Sequence, residues 1–228
     1  MTPNNIRQDI STFAAYLLGE GLVIGYHGPV LKKYGALSYV SSPWFPEVTV
    51  DDETGESDES QFTSVGEYLF FLQEGFYTIV LFDGALIQVA FSFQRGEITK
   101  HRLGYYPCPI ELDFRGEACE NLCEIIEEEL TGKAIKSLNC RSSIRFDFDS
   151  YAARNGHSAS HVHMNRPETR IPAYGPISFG HFAKFIFRNF YGEVWQKQKK
   201  LQEWPIRFWR RTVTVEEQGE MYFECRQT

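Results

Sequence analysis

The sequence predicts an α+β fold in which helices pack against a mainly antiparallel sheet. Two apolar stretches, FYTIVLF and ALIQVAFSF, flank Asp83-Gly84, a dipeptide that favours a two-residue β-hairpin. Apolar residues at helical spacing occupy residues 5–18 and 179–191, near the two ends of the chain. The resulting order of helix, sheet, helix, sheet and helix predicts one α+β domain over residues 1–228.

Four helices are predicted from buried stripes and capping residues. A Ser at the N-cap accepts a backbone N–H of the first turn, and a Glu three residues later can complete the capping box. The helices and their signals are 5–18 with Ile6, Ile10, Phe13 and Leu17; a helix after Ser64 and Glu67; 117–130 with Leu122, Ile125, Ile126 and Leu130; and 179–191, capped by Ser178, with Phe182, Phe185, Ile186 and Phe190.

Strands are predicted where apolar and polar residues alternate, since successive side chains of a strand point to opposite faces. After the first hairpin, Arg95-Gly96 predicts a second turn into the segment EITKHRLGYY. Two later strands are expected at 142–149 and 160–164. Their apolar residues, which are expected on the core face, are Ile144, Phe146 and Phe148 in the first, and Val162 and Met164 in the second.

Composition narrows the class of protein. With 43% hydrophobic and 15% aromatic residues, the chain can bury a substantial core. No apolar run reaches the roughly 18 residues that a membrane span requires, and the N-terminus lacks the apolar segment of a signal peptide. The five Cys contain no C-x-x-C pair, so all five are expected to be reduced thiols in a cytoplasmic protein.

Charge is unevenly distributed along the chain. The net charge is −7, but residues 51–60 alone carry six acids, and we expect this segment to be a mobile acidic loop. Residues 192–211 form a basic, Trp-rich C-terminal segment. Its three Trp residues could stack nucleic-acid bases, anchor a protein partner, or simply bury themselves against the domain. The last alternative is preferred, since large aromatic side chains usually lie in the core.

The segment from Arg141 to Arg170 contains the predicted functional site. It holds three of the six His residues and five Arg. If the strands at 142–149 and 160–164 are neighbours in the sheet, their polar residues share one face. That face would then carry Arg145, Asp147 and Asp149 from the first strand and His161 and His163 from the second.

Three chemical interpretations fit these residues. The first is phosphodiester cleavage without a metal, in which His161 and His163 transfer protons and Asp147 orients one of them. Four further residues, Arg145, Arg166, Arg170 and His157, would bind the phosphate. The second is a divalent metal at His161 and His163, although no cofactor is otherwise predicted. The third is binding without catalysis, and a structural network of hydrogen bonds would look the same in sequence.

Common catalytic signatures, including H-E-x-x-H, the P-loop and G-x-S-x-G, do not occur in the chain. The segment HVHMNRPETRIP, followed by PISFGHFAKFIFRNFY, resembles a bacterial family known as domain of unknown function 2290. The likeness is sharpest between Arg141 and Tyr191. Members occur near mobile and defence-associated genes, so the resemblance implies a toxin, antitoxin or anti-phage module but assigns no catalytic residue.

The sequence therefore predicts a component of such a module whose His/Arg-rich site binds, and could cleave, RNA or a nucleotide. The alternative is a non-catalytic subunit that binds an effector protein. An operon-encoded protein partner is expected in either case, and no contact with a membrane.

Overall fold

The computed structural model of the chain describes residues 1–44, 64–112, 121–132, 142–151, 158–166, 168–219 and 221–224. These residues form seven helices and nine strands, which confirms the predicted α+β class with a mainly antiparallel sheet. The helices are α1 (Pro3–Gly19), α2 (Val65–Gln73), α3 (Leu122–Glu129), α4 (Phe179–Phe190), α5 (Gly192–Lys197), α6 (Lys199–Gln202) and α7 (Val215–Gln218). The strands are β1 (Val23–Tyr26), β2 (Val30–Tyr34), β3 (Leu37–Ser41), β4 (Ile79–Leu81), β5 (Leu86–Gln94), β6 (Glu97–Tyr106), β7 (Ile144–Asp149), β8 (Ser160–Met164) and β9 (Ile171–Pro172).

The sheet is built around β5, and its neighbouring strands are antiparallel. Along the main path the strand order is β1-β4-β5-β6-β7-β8-β9. One edge of β5 is shared by two strands: its first residues pair with β4, and Ala90–Gln94 pair with β3, which in turn pairs with β2. The hairpin expected at Asp83-Gly84 joins β4 to β5, but its loop has three residues and not two, because Leu81 N–H donates to the Ala85 carbonyl oxygen; Gly84 has a positive φ.

Each face of the sheet packs against its own helices. On one face, Ile87, Leu103 and Phe146 pack with α1 and α4 in a large apolar cluster. On the other face, Leu86 and Tyr106 pack with α2 and α3 in a smaller cluster. Strand alternation explains the separation, since Leu86 and Ile87 are consecutive and point to opposite sides.

Two helices, α2 and α4, begin where the sequence predicts, and α1 begins at Pro3, two residues before its predicted start. Ser64 and Ser178 are N-caps, and their hydroxyls accept hydrogen bonds from the backbone N–H groups of Glu67 and His181. The stripe of α1 is buried as expected, and in α4 Phe182 and Ile186 are buried while Phe185 and Phe190 are partly buried against the core. Of the helix expected at 117–130, the described part is α3; residues 113–120 and the acidic loop at 51–60 lie outside the described residues.

The Trp-rich segment packs against α1 and α4, as preferred from the sequence. Trp204 is 5% exposed; its indole N–H donates to Asp9, and its ring meets Phe13 edge to face. Trp195 and Trp209 are partly buried against the same apolar cluster. The cations of this segment are exposed, namely Lys197, Lys199, Lys200, Arg207, Arg210 and Arg211. These Trp rings therefore contribute to the core.

In the part of the chain that the structure describes, no helix is both long enough and apolar enough to cross a membrane. Cys108 and Cys123 are free thiols, which agrees with the expected reduced state for these two residues. The other three Cys lie outside the described residues.

Candidate functional site

Strands β6, β7 and β8 place the predicted site on the sheet face that α2 and α3 cover elsewhere. In one row across the sheet, Asp147 of β7 lies between Arg102 of β6 and His161 of β8. In the next row, Arg145 lies opposite His163. The assumption made from sequence, that the two later strands are neighbours, is therefore met, and the four strand residues predicted for the site meet on one face.

Asp147 is the electrostatic centre of this cluster. Its Oδ2 accepts a hydrogen bond from Arg145 Nε at 2.7 Å, and Arg102 Nε lies 3.6 Å from Oδ1. Burial alone would raise the pKa of Asp147, but Arg145, Arg102 and His163 outweigh it and hold that pKa well below its usual value. Asp147 is therefore a carboxylate, and Arg145, only 5% exposed, is committed to it.

His161 and His163 form a directly bonded pair. The Nε2 atoms of the two rings are 3.0 Å apart. His161 Nδ1 lies 3.0 Å from the Ser158 carbonyl oxygen, which can only accept, so Nδ1 carries the proton. Burial lowers the pKa of His161 to about 4 despite the nearby Asp147, so the ring is neutral at pH 7 and its Nε2 is an acceptor. His163 Nε2–H is then the donor, and this nitrogen also lies 3.5 Å from Asp147 Oδ2.

The cations predicted to bind phosphate differ in position. Arg170 precedes β9 and is close enough to His161 that its charge contributes to lowering the pKa of that ring, after the larger effect of burial. Arg166 is exposed in the turn after β8. His157 lies outside the described residues, so its predicted role stays a prediction. Met164, on the apolar side of β8, is 39% exposed at the end of that strand.

The neutral ring of Tyr106 borders the charged cluster on the side of the smaller apolar cluster. Gly104 lies opposite Arg145, and a Cβ on this glycine would overlap the ring of Tyr106. The absence of a side chain thus lets the Tyr106 ring lie along β6 toward the charged residues. Burial raises the pKa of Tyr106, so the phenol stays neutral beside Arg145 and Arg102.

Three residues of the cluster could hold a metal ion. One ligand atom each from Asp147, His161 and His163 lies within 4.8 Å of the others. Two ligands of a tetrahedral zinc, at about 2.0–2.1 Å from the metal, lie roughly 3.3 Å apart, and the Nε2–Nε2 distance of 3.0 Å is close to that value. The Ser158 carbonyl orients the His161 ring as a second-shell partner would.

Sequence reasoning missed Arg102, which is 34% exposed at its side chain and completes the charge environment of Asp147. Its alternation with Leu103 along β6 marks it as a polar-face residue, but its proximity to β7 depends on a pairing between segments some 40 residues apart. His101 is also near in sequence but lies on the opposite face, where its Nε2 accepts from Ile177 N–H at 3.1 Å. It is therefore part of the core and not of the site.

Comparison with known proteins gives a family. The family described as Uncharacterized conserved protein (DUF2290) matches residues 34–225, so the chain belongs to this family. The matched range contains every residue of the cluster. No curated protein and no solved structure matches the chain.

Proposed function

We propose that the chain binds a phosphodiester group, from RNA or a nucleotide, over the polar sheet face formed by β6, β7 and β8. The observation that supports this most directly is the charge of the cluster. Three guanidinium groups, those of Arg102, Arg145 and Arg170, lie at or near one carboxylate and two His rings. Such an excess of positive charge, partly shielded from water, favours an anion with several acceptor oxygens.

The contacts indicate different roles for the Arg residues of the site. Arg145 is buried and bonded to Asp147, so it contributes a fixed positive charge and does not reach solvent readily. Arg102 is one-third exposed and its ion pair with Asp147 is long, at 3.6 Å. We therefore assign direct contact with phosphate to Arg102, with Arg170 and the exposed Arg166 at the rim.

The geometry supports binding more strongly than cleavage. Both ring nitrogens of His161 are engaged, one by Ser158 and the other by His163, and His163 is 0% exposed. A general acid or base must reach the proton that it transfers. In the cleavage mechanism, His161 would release His163 and turn Nε2 to the ester, while Asp147 and His163 would act as positioning residues.

Binding can be tested with the dinucleotide UpU and isothermal titration calorimetry. We expect Arg102→Gln to weaken binding by about tenfold, the value of one charge-assisted hydrogen bond. The matched control is Arg188→Gln, an exposed Arg on α4 at the opposite face, which should bind as the wild type does. If Arg102→Gln binds UpU unchanged, or if the wild type does not bind it, the proposed site is wrong.

Cleavage is measured separately by chromatography of the incubated dinucleotide. His161→Asn keeps an amide N–H that can donate toward Ser158 but removes the titratable ring. Loss of cleavage with retained UpU binding would assign proton transfer to His161, and intact cleavage would remove it from the mechanism. Absence of cleavage in the wild type would leave a binding protein.

A metal site is the second candidate, supported by the convergence of Asp147, His161 and His163. Arg145 and Arg102 weaken it, since both repel a cation from the carboxylate that it would need. Elemental analysis of protein purified without chelators tests whether the chain binds a metal ion. One zinc or other transition metal per chain, lost in His163→Ala, would establish this candidate, and no bound metal would remove it.

The wider role that we propose is a component of a bacterial anti-phage or toxin–antitoxin module with an operon-encoded protein partner. It rests on the resemblance carried by residues 141–191. The engaged nitrogens of His161 also fit the alternative of a non-catalytic subunit that binds an effector. Native purification followed by mass spectrometry distinguishes the two: a stoichiometric protein partner favours the subunit, and bound nucleotide or RNA alone favours the phosphodiester site.

A further inference from the structure

The polar sheet face continues past the cluster toward β5, β3 and β2. Lys100 of β6 lies in register with Ser92 of β5 and Asp149 of β7, and Ser92 lies opposite Tyr39 of β3. Lys100 is two residues from Arg102, so the two cations project from the same face about 6.6 Å apart along the strand. That separation is comparable to one nucleotide step in an extended single strand.

Two tyrosines share a cleft with Lys100 on this face, the exposed Tyr151 and Tyr39, which is only 9% exposed. A shallow cleft is lined by Tyr39, Ser92, Gln94, Lys100 and Tyr151. Tyr151 is 53% exposed and follows β7, where its hydroxyl donates to Gln94 Oε1 at 2.6 Å and its backbone N–H donates to Asp149. The ring is thus held in place by two hydrogen bonds while much of its surface faces solvent.

A second exposed ring lies at the far end of the same face. Tyr34 of β2 is 53% exposed and contacts the Tyr39 ring edge to face, with ring centroids 6.0 Å apart. Lys32 pairs in register with Tyr39 and adds a cation on the same side of the sheet. Neighbouring strands of a sheet lie about 4.8 Å apart. Only β5 and β3 lie between β6, which carries Arg102, and β2, which carries Tyr34, so the path between these two residues spans only a few nucleotides.

We propose that this face, defined by Arg102, Lys100, Lys32, Tyr151 and Tyr34, binds a single-stranded nucleic acid and not a mononucleotide, with the buried Tyr39 supporting the Tyr34 ring. The inference rests on the proposed phosphodiester site and extends it. Exposed aromatic rings among cations are the arrangement that binds single strands, because bases stack on the rings while cations hold the phosphates. Asp149 fixes the positions of Lys100 and Tyr151 relative to each other, because it pairs with Lys100 at 2.9 Å and accepts the backbone N–H of Tyr151.

The exposed rings favour a single strand over a duplex. The bases of a duplex are stacked inside the helix, where Tyr34 and Tyr151 could not reach them. The unstacked bases of a single strand can stack on both rings. Lys32 lies in the same cross-strand row as Lys100, and Arg102 lies two residues farther along β6, so the three cations offer phosphate contacts both across and along the strands.

The test is fluorescence anisotropy with labelled oligouridine of two, six and twelve nucleotides at one salt concentration. We expect affinity to rise with length in the wild type. Tyr34→Ala/Tyr151→Ala should weaken the twelve-nucleotide RNA by about fivefold or more per ring and leave the dinucleotide unchanged. Tyr151→Phe keeps the ring but loses the hydrogen bond to Gln94, so it should weaken the twelve-nucleotide RNA less than Tyr151→Ala does. Lys33→Gln, on the opposite side of β2 from Lys32, is the matched control for Lys32→Gln.

The outcomes separate the two proposals. Binding of the dinucleotide through Arg102 without any effect of length or of the Tyr variants would overturn the single-strand inference and leave the proposed function intact. Length-dependent binding that needs both Tyr rings but not Arg102 would support the inference and reject the phosphodiester site. No binding of any oligonucleotide would overturn both proposals, and equal losses in Lys32→Gln and Lys33→Gln would overturn the assignment of Lys32 to the face.

Discussion

At the residue scale, Asp147 and Asp149 are two carboxylates on one strand whose surroundings differ. Asp147 is 14% exposed and neutralises the buried Arg145, whereas Asp149 is 28% exposed and pairs with Lys100 near solvent. Removing the partner of a buried charge is costly, while an exposed ion pair contributes little. The two residues therefore allow a matched comparison on the same strand.

We expect Asp147→Asn to lower the free energy of unfolding by about 3–5 kcal/mol. Asp149→Asn should lower it by less than about 1 kcal/mol. Urea unfolding followed by circular dichroism gives both values. Equal losses from the two substitutions would mean that Arg145 does not depend on Asp147 for its neutralisation.

The site could be predicted in part because strand alternation is a local property. The period of two places Arg145 and Asp147 on one side of β7, and His161 and His163 on one side of β8. Only the pairing of the two strands, which brings these sides onto one face of the sheet, had to be assumed. Two features depend on contacts that the sequence does not encode locally. Arg102 joins through a distant strand, and the engagement of both His161 nitrogens depends on the position of the Ser158 carbonyl.

At the element scale, the segment after α6 passes directly over the start of α4. Gly180 is in the first turn of α4, and a Cβ at this position would overlap the carbonyl oxygen of Pro205. Ser178 also accepts from Arg207 N–H, which ties the same segment to the helix cap. This close approach explains a glycine inside a helix, where glycine otherwise lowers stability.

Gly180→Ala should destabilise the protein by about 1–3 kcal/mol, because the segment at Pro205 must move away from α4. Gly192→Ala is the control, since a Cβ there meets no atom within 4 Å. Differential scanning calorimetry should show a lower Tm for the first variant and an unchanged or slightly higher Tm for the second. A Gly180→Ala protein as stable as the wild type would show that the segment yields without cost.

Elements with local signals were predicted well, and pairings between distant segments were not. Capping Ser residues and apolar stripes predicted α1, α2 and α4, and Asp83-Gly84 predicted the β4–β5 hairpin. The pairing of both β3 and β4 with one edge of β5 has no sequence signature. Such register is decided by which apolar faces meet in the core.

At the scale of the whole molecule, two buried His rings couple stability to pH. Burial lowers the pKa of His101 and of His161 to about 4. The unfolded chain therefore binds more protons than the folded one between pH 6.5 and 4. The stability contributed by each neutral ring is fully present above pH 6.5 and is lost as the pH falls toward 4.

We expect the free energy of unfolding to fall by about 3 kcal/mol per ring over this range. His101→Asn keeps an acceptor for the Ile177 N–H but cannot titrate, so its pH dependence should be about half as steep whatever its overall stability. Urea titrations at pH 7, 6, 5 and 4 measure the slope. A variant as pH-sensitive as the wild type would exclude His101 as a source.

The unequal size of the two apolar layers has a consequence for motion. Among the described residues, the layer with α2 and α3 contains far fewer buried side chains than the layer with α1 and α4, so it should open first in local fluctuations that leave the rest folded. In hydrogen–deuterium exchange, amides of α2 should lose protection sooner than those of α4. Because the Tyr106 ring belongs to this smaller layer and lies against Gly104, opposite Arg145, we expect such partial opening to loosen the boundary of the charged cluster.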